Sequence, residues 1–500
     1  MFSLKCLVFV IALTLAVYGK TASEEKQIKK FENCLRIDLP KATILTEGEE
    51  YEAANYQWNL RNPIIPLGIF SVVDKNEIQI AVKCSTMTNV SIVAKSGGHS
   101  YEKYSFGTGK EIIIDLHKMD KITVDAITQT ATVQAGALLG HVYYQLFHQG
   151  GFSVPAGSCL TVGISGHTLG GGYGLSARKH GLMSDNLLQA EITLPSGQTV
   201  IASKSSHSDL FWALRGAGAG NFGIVSEFKF KLFKPPSTLT RIHYHYSLDK
   251  SEEAFKAFQK WAASSPDPSI TTVANFGKNG FNINSLIQPD SEEHRTKLLE
   301  QLKKEFPLSY DNNDVRFDYD FIGMIRDFGD PSETKEDQLD KLVHSMYPQK
   351  YFRAKSAYVD KELSDSEIKE WKKVVEEGSQ HWLVLFDMQG GALDNFSRNE
   401  TAFVHRHKPL YSIQLIGEYR GKELIEINEA WGETYFDRIK NFLSDESFQN
   451  YIDAKAGNSY HKYYAENFDR LQKVKQMYDP KNKFNFKQSI PLPDESDQEL

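Results

Sequence analysis

The chain has 500 residues, more than one hydrophobic core usually supports, so two or three packed units are expected. Hydrophobic content of 41% and charged content of 24% are ordinary for a globular protein. The formal net charge is −7 and no basic block or basic domain stands out, which speaks against a nucleic-acid partner.

In chain order, MFSLKCLVFVIALTLAVYGK combines Lys5 with an apolar run from Cys6 to Val17 and small residues near Gly19. The run is short for a bilayer span and has the flanks of a secretory signal, so residues 1–19 are read as a signal peptide and the mature protein as secreted, extracellular and soluble. Three sequons, at Asn89, Asn395 and Asn399, agree with that route and are candidate glycosylation sites. Without Cys6, three cysteines remain. Cys34 in FENCL and Cys84 in IQIAVKCS fall on segments that read as amphipathic helix, with Phe31, Leu35, Ile80 and Ala81 facing inward. A disulfide between them would tie the N-terminal arm to the body. Cys159 is then the odd cysteine, and its ordinary reading is a buried thiol, since a reactive one needs a special setting.

Up to residue 234 the chain shows short β-rich segments broken by Gly and Asp: SIVAKSGG, EIIIDL, ATVQAG, AEITLPSG and QTVIAS. They predict an α+β fold with small sheets rather than a regular βαβ array. A boundary falls at Lys234-Pro235-Pro236-Ser237, where the strand-like run IVSEFKFKLF stops at two prolines that cannot donate ladder hydrogen bonds. Beyond it strands alternate with longer charged helices, SEEHRTKLLEQLKKEF and SDSEIKEWKKVVEEG, and the acidic tail PDESDQEL is expected to fray.

A literal G-x-G-x-x-G at Gly218, Gly220 and Gly223 invites a dinucleotide-fold reading, which requires a strand before it and a helix after it. The order here is reversed: SDLFWALRG reads as helix with Ser208 or Asp209 as cap, and IVSEFKF alternates like a strand. The Rossmann reading is rejected. A second cluster, SGGHSYEKYSFGTG at 96–109, follows the strand-like SIVAK, and two glycines at a strand end let backbone approach a bulky anionic ligand. His99 follows them. Taken alone it is more often a structural histidine. With His167, His405 and His407 it shows no ligand spacing, so no metal site is expected.

SGGHSY (96–101), PAGSCLTVGISGHTLGGGYG (155–174), DLFWALRGAGAGNFGIV (209–225) and YYAENFDRLQKVKQMYDPKNKFNFKQSI (463–490) together resemble the FAD-linked oxidases of the berberine-bridge-enzyme-like group, and within it the glucooligosaccharide and hexose oxidases. The resemblance implies a two-part FAD-binding domain of the PCMH or vanillyl-alcohol-oxidase type, residues 30–236 and 446–495. This would enclose a substrate domain, residues 237–445, with a large antiparallel sheet. It implies FAD attached twice, through His99 to the 8α carbon and through Cys159 to C6 of the ring. Ser96, Gly97, Gly98, Ser100, Gly157, Ser158, Val162, Gly163, Gly166, Gly171, Gly172, Gly223, Val225, Tyr464 and Asn467 are the further positions expected to line the cofactor. Leu160 departs from the proline the family usually has after the cysteine.

By the same resemblance the base is Tyr451 in FQNYID, where Phe448 replaces a tyrosine, although a tyrosine near pKa 10 is a poor base unless phenolate is stabilised. Asp387 in VLFDMQGG is expected beside it, accepting the proton or orienting the hydroxyl. Gln414 in LYSIQL and Tyr101 are candidate substrate contacts, while Leu385 stands where the sugar oxidases have another glutamine. The ordinary alternatives are a core aromatic for Tyr451, a strand-end residue for Asp387 and a strand polar residue for Gln414. Val162 holds the place where a small residue admits oxygen in the family. The implied activity is oxidation of a carbohydrate hemiacetal, an oligosaccharide or hexose C1, to a lactone with O2 reduced to H2O2. An alkaloid, phenolic or allylic alcohol substrate is the alternative, and a glycan-binding protein with a vestigial flavin site is another, against which intact His99, Cys159 and Tyr451 argue. A monomer acting on a small molecule and O2, with no nucleic-acid or membrane partner, is expected.

Overall fold

The structure, a computed structural model, describes residues 20–306, 315–329, 334–457 and 459–493. The expected signal peptide and all but the first residue of the acidic tail lie outside the described residues. Among the described residues no helix is long and apolar enough to cross a membrane.

Helix Ala22–Asp38 opens the described chain with a reciprocal cap: the Thr21 hydroxyl accepts the Glu24 N–H at 3.2 Å, and the Glu24 carboxylate accepts the Thr21 N–H at 2.7 Å. Its buried stripe, Ile28, Phe31, Cys34 and Leu35, meets Ile78, Ala81 and Cys84 of helix Lys75–Thr88, which Asp74 caps. Cys34 and Cys84 form a disulfide across this contact.

Three sheets form among the described residues. β1 (Gly68–Ser71), β2 (Ile92–Lys95) and β3 (Ile112–Asp115) are parallel in the order β1-β3-β2. Helix Lys75–Thr88 connects β1 to β2, so one compact βαβ unit sits in the region read as small irregular sheets. Burial on both faces explains the unbroken apolar run of β3, in which Ile112, Ile113 and Ile114 are all fully buried. The second sheet is antiparallel, with β4 (Ile122–Asp125), β5 (Thr130–Gln134), β6 (Leu187–Thr193), β7 (Thr199–Ser203) and β8 (Ile224–Lys231) in the order β4-β5-β8-β6-β7. After Pro235 and Pro236 the chain enters a different sheet.

That third sheet has seven antiparallel strands, β9 (Leu239–Tyr246), β10 (Ile270–Gly277), β11 (Gly280–Ile287), β12 (Val315–Tyr319), β13 (Tyr351–Val359), β14 (Trp382–Met388) and β15 (Tyr411–Tyr419), in the order β12-β9-β11-β10-β14-β15-β13. Strict alternation splits β14 between two faces. Trp382, Val384, Phe386 and Met388 enter an aromatic-rich core under helices Ser251–Ala263 and Asp365–Glu377, which leaves Leu385 and Asp387 on the opposite face.

Ser208 and Asp209 do not cap their helix. Helix Ser208–Ala213 starts from His207, which has a φ of 49° and offers its carbonyl to the Phe211 N–H at 2.9 Å. A tight turn between Ser203 and Ser206 delivers the chain in this left-handed conformation, so Ser208 is already helical and its side chain cannot reach back to cap.

The disulfide closes 50 residues of chain and should constrain the unfolded state. Replacing Cys34 and Cys84 together by serine should cost about 2–4 kcal/mol of stability by loop-closure entropy. Calorimetry of the double variant should show a lower unfolding midpoint, and an unchanged midpoint would refute this role.

Candidate active site

Two backbone turns meet where the parallel sheet faces the five-stranded one. A β-carbon on Gly97 would overlap the Gly163 amide nitrogen, and one on Gly163 would overlap the Gly97 nitrogen, so only glycine at both places lets the turns touch. Ser96 and Ser165 clamp the junction from both sides by donating to the same Ala135 carbonyl, at 2.7 and 2.6 Å. Ser100 accepts the Tyr104 N–H and closes the first turn.

His99 thereby faces the cysteine-bearing turn. Its Nε2 lies 3.0 Å from the Thr161 hydroxyl, its ring stacks on Trp58 with centroids 5.4 Å apart, and the Tyr347 ring meets it edge-on at 5.0 Å. Burial, with smaller contributions from His344 and Lys350, pulls its pKa down to about 3, so the imidazole is neutral at ordinary pH. Cys159, two residues before Thr161, takes no part in the disulfide and packs half-buried against the Trp58, Tyr347 and Phe352 cluster. Leu160 fits its turn. Its side chain is fully buried, and its carbonyl and that of Val162 accept the N–H groups of Gly140 and Leu139, both at 2.9 Å.

Other cofactor candidates brace this region. Gly157 donates its N–H to His167 Nε2 at 3.0 Å, and burial lowers the His167 pKa to about 4, which suits an acceptor nitrogen. Ser158 lines a small, mainly apolar pocket with Tyr143, Leu175 and Phe328. Gly166 starts with open space around it, whereas Gly171 and Gly172 pack against Phe403 and Met183. Gly223 and Val225 lie at the start of β8, with Val225 buried. Tyr464 donates to the Ala217 carbonyl, and Asn467 donates to those of Arg398 and Thr401, so both side chains tie loops together. Asn89, Asn395 and Asn399 are all exposed.

Tyr451 ends a short turn, Gln449–Tyr451, fixed from three sides. Asn450 donates to the His167 carbonyl at 3.0 Å, and the Phe448 N–H donates to Ser356 on β13 at 3.0 Å. The Asp453 carboxylate accepts from Lys355 at 2.7 Å and Arg353 at 3.2 Å. The Tyr451 ring lies parallel to Tyr101, 5.8 Å away, and the Tyr101 hydroxyl accepts from Gln414 Nε2 at 2.6 Å. Gln414 stands opposite Leu385 in the β14–β15 register, two positions from the Asp387–Ser412 pair and on the same face.

Asp387 and Tyr451 share a small pocket with Tyr173, Tyr358, Gln389, Phe403, Ser412 and Phe448. Burial raises the Asp387 pKa to about 7, and among the described residues no ion pair reaches it. The Tyr451 hydroxyl is held well above its ordinary value, first by burial and then by the Asp387 charge. Near neutral pH the carboxylate is therefore the group poised to take a proton, and the phenol keeps its own. Tyr173 and Gln389 belong to the quoted stretches GGGYG and VLFDMQGG and could have been read from them. Tyr358 and Trp58 carry no comparable local signal.

The donor set suits a flavin: a neutral imidazole and a thiol on touching turns, and a carboxyl of raised pKa in a tyrosine-lined pocket. A FAD binding domain matches residues 66–203, and a berberine and berberine-like domain matches residues 447–491. Berberine bridge enzyme-like 18 of Arabidopsis thaliana is 30% identical, over 91% of this chain and 88% of that protein. Chitooligosaccharide oxidase of Gibberella zeae is also 30% identical, over 90% of this chain and 93% of its own length. The structure of glucooligosaccharide oxidase from Acremonium strictum, described for its 6-S-cysteinyl, 8α-N1-histidyl FAD, superposes with a TM-score of 0.82 at 27% identity, covering 92% of this chain and 99% of that one. The chain belongs to the berberine bridge enzyme-like family of FAD-linked oxidoreductases.

Proposed function

We propose that this FAD-linked oxidase carries its flavin bicovalently, through His99 and Cys159, and oxidises the C1 hemiacetal of an oligosaccharide or hexose to a lactone with O2 reduced to H2O2. The observation that carries this reading is Asp387, a lone carboxylate raised to about 7, in one pocket with Tyr451. FAD, when bound, accepts the hydride and its two electrons. The chain's own work is proton handling and placement. Tyr451 orients the substrate hydroxyl, and Asp387 takes up its proton directly or through the phenol as the C–H bond breaks. The residues of the cradle would be those around the Gly97–Gly163 contact, with His99 and Cys159 as the two attachment points.

Gln414, buried and bonded to Tyr101, is the amide nearest this pocket along β15 and suits a sugar hydroxyl. The oligosaccharide oxidases among the relatives support the carbohydrate reading. Leu385 beside Gln414 favours a second reading, an allylic or phenolic alcohol, because an apolar side chain stands in place of a second amide. The two-part cofactor unit, residues 30–236 and 446–495 around 237–445, is part of the proposal, as are the monomeric state and secretion. The disulfide and three exposed sequon asparagines support an oxidising export route.

Tyr451→Phe and Asp387→Asn should each lower kcat/KM by about 10²–10⁴-fold while the flavin absorbance persists, as expected for loss of a positioned acid–base group. Peroxide assays on cello-, malto- and chito-oligosaccharides beside benzylic alcohols test both variants and decide the substrate class, and full activity in either variant would refute its role. The wild-type kcat/KM should rise with pH around 7, because Asp387 must be ionised to act, and this limb should vanish in Asp387→Asn. Stability should move the opposite way. A carboxyl whose folded pKa lies above its unfolded value of 3.8 costs the fold stability progressively from about pH 4, and fully above pH 7. Asp387→Asn should therefore unfold at a higher temperature than wild type at pH 8 and lose that advantage at pH 4. A destabilised variant at pH 8 would contradict the raised pKa.

A further inference from the structure

We propose that Thr161 is a positioning residue for flavin attachment, holding the Nε2–H tautomer of His99 so that Nδ1 carries the lone pair that bonds the 8α carbon. The inference rests on the bicovalent attachment proposed above and concerns how the chain achieves it. His99 Nε2 lies 3.0 Å from Thr161 Oγ1, and the threonine is fully buried, so water cannot substitute for its hydroxyl. Which nitrogen of a neutral imidazole holds the proton follows from the hydrogen bond the other ring position makes. Either partner can donate in this contact; with the ring as donor, as proposed, Nε2–H goes to Thr161 Oγ1 and Nδ1 is left as the nucleophile.

The ring has little freedom to exchange its two nitrogens. Trp58 covers one face, the Tyr347 edge closes another side, and the glycine contact between the turns fixes the distance from the His99 backbone to Thr161. Thr161 also sits two residues beyond Cys159. The turn that supplies the sulfur thus aims the nitrogen as well, which couples the two attachments through one short segment.

The step balances as follows. A bond forms between Nδ1 and the 8α carbon while one C–H bond of that methyl group breaks. The methyl proton and the Nε2 proton are released, and the two electrons of the broken C–H bond reduce the ring system, which takes up the protons. Dioxygen then reoxidises it and leaves as hydrogen peroxide.

The test compares wild type, Thr161→Ser and Thr161→Val, each produced with FAD, by mass spectrometry of the digested protein, quantifying flavin on the His99 and Cys159 peptides separately. Wild type and Thr161→Ser should carry flavin on both. Thr161→Val should keep the Cys159 adduct, which reports a folded, FAD-bound protein, while flavin at His99 falls at least tenfold. NMR of the His99 flavin peptide from wild type should show linkage through Nδ1. Full His99 occupancy in Thr161→Val, loss of both adducts together in that variant, or an Nε2 linkage in wild type would each overturn the role of Thr161. Wild-type protein lacking flavin on both peptides would instead refute the attachment itself.

Discussion

The site depends on the approach of two turn backbones that only hydrogen-sized side chains permit. Gly97 and Gly163 sit in separate stretches of sequence, and a single β-carbon on either would force the turns apart. From that contact the rest of the first half of the site follows geometrically: His99 opposite Thr161, Cys159 beside the same aromatic cluster, and Ser96 and Ser165 sharing one carbonyl. Backbone packing of this kind is more dependable than a long side chain as a ruler, because it leaves no rotamers to average over.

The second half of the site is organised by charge. Three aspartates, Asp115 and Asp453 buried and Asp387 half-buried, show how neighbours decide what one residue type can do. Burial would raise Asp115, but Lys95 at 3.1 Å, with His117, outweighs it and holds the carboxyl at about 2. Asp453, between Lys355 and Arg353, is likewise matched by cations and anchors the turn that carries Tyr451. Asp387, half-buried in its pocket, has no cation beside it among the described residues, and desolvation raises its pKa to about 7. A matched carboxylate stabilises geometry. An unmatched one costs stability and is retained where a proton must move.

Sequence reasoning reached the parts of this arrangement that leave a local trace. Glycine runs, a histidine after Gly-Gly and an odd cysteine are each constrained by what their own backbone or compartment must do, so they stand out in a single chain. The alternation of β14 likewise puts Asp387 and Leu385 on one face without any coordinates. Trp58, Tyr347 and Tyr358 were invisible because their roles are set by elements far away in sequence, and an isolated aromatic reads as core. The same limit explains the helix start at His207: a turn formed by Ser203 and Ser206 decided the backbone conformation before any capping side chain could. Of the βαβ unit, SIVAK and EIIIDL read as strands and IQIAVKCS as helix, but β1 is only four residues long, too short for periodicity to separate from loop, so the unit is not legible as a whole.

The register of β14 against β15 bears on what the pocket can recognise. Asp387 pairs with Ser412, and the next pair on the same face is Leu385 with Gln414, so along β14 an apolar side chain stands two residues from the carboxylate. One of Gln414's two amide N–H groups goes to the Tyr101 hydroxyl, which leaves the second N–H and the carbonyl oxygen for a ligand. Around these groups stand Tyr101, Tyr173, Tyr358, Phe403, Phe448 and Tyr451, ring faces and edges that suit a flat or ring-shaped substrate. In the proposed reaction, selectivity close to the reacting carbon would rest largely on shape and stacking. Farther along the open face of the seven-stranded sheet, Asn275, Asn282 and His245 continue the same row of side chains and would offer the proposed reaction further polar contacts.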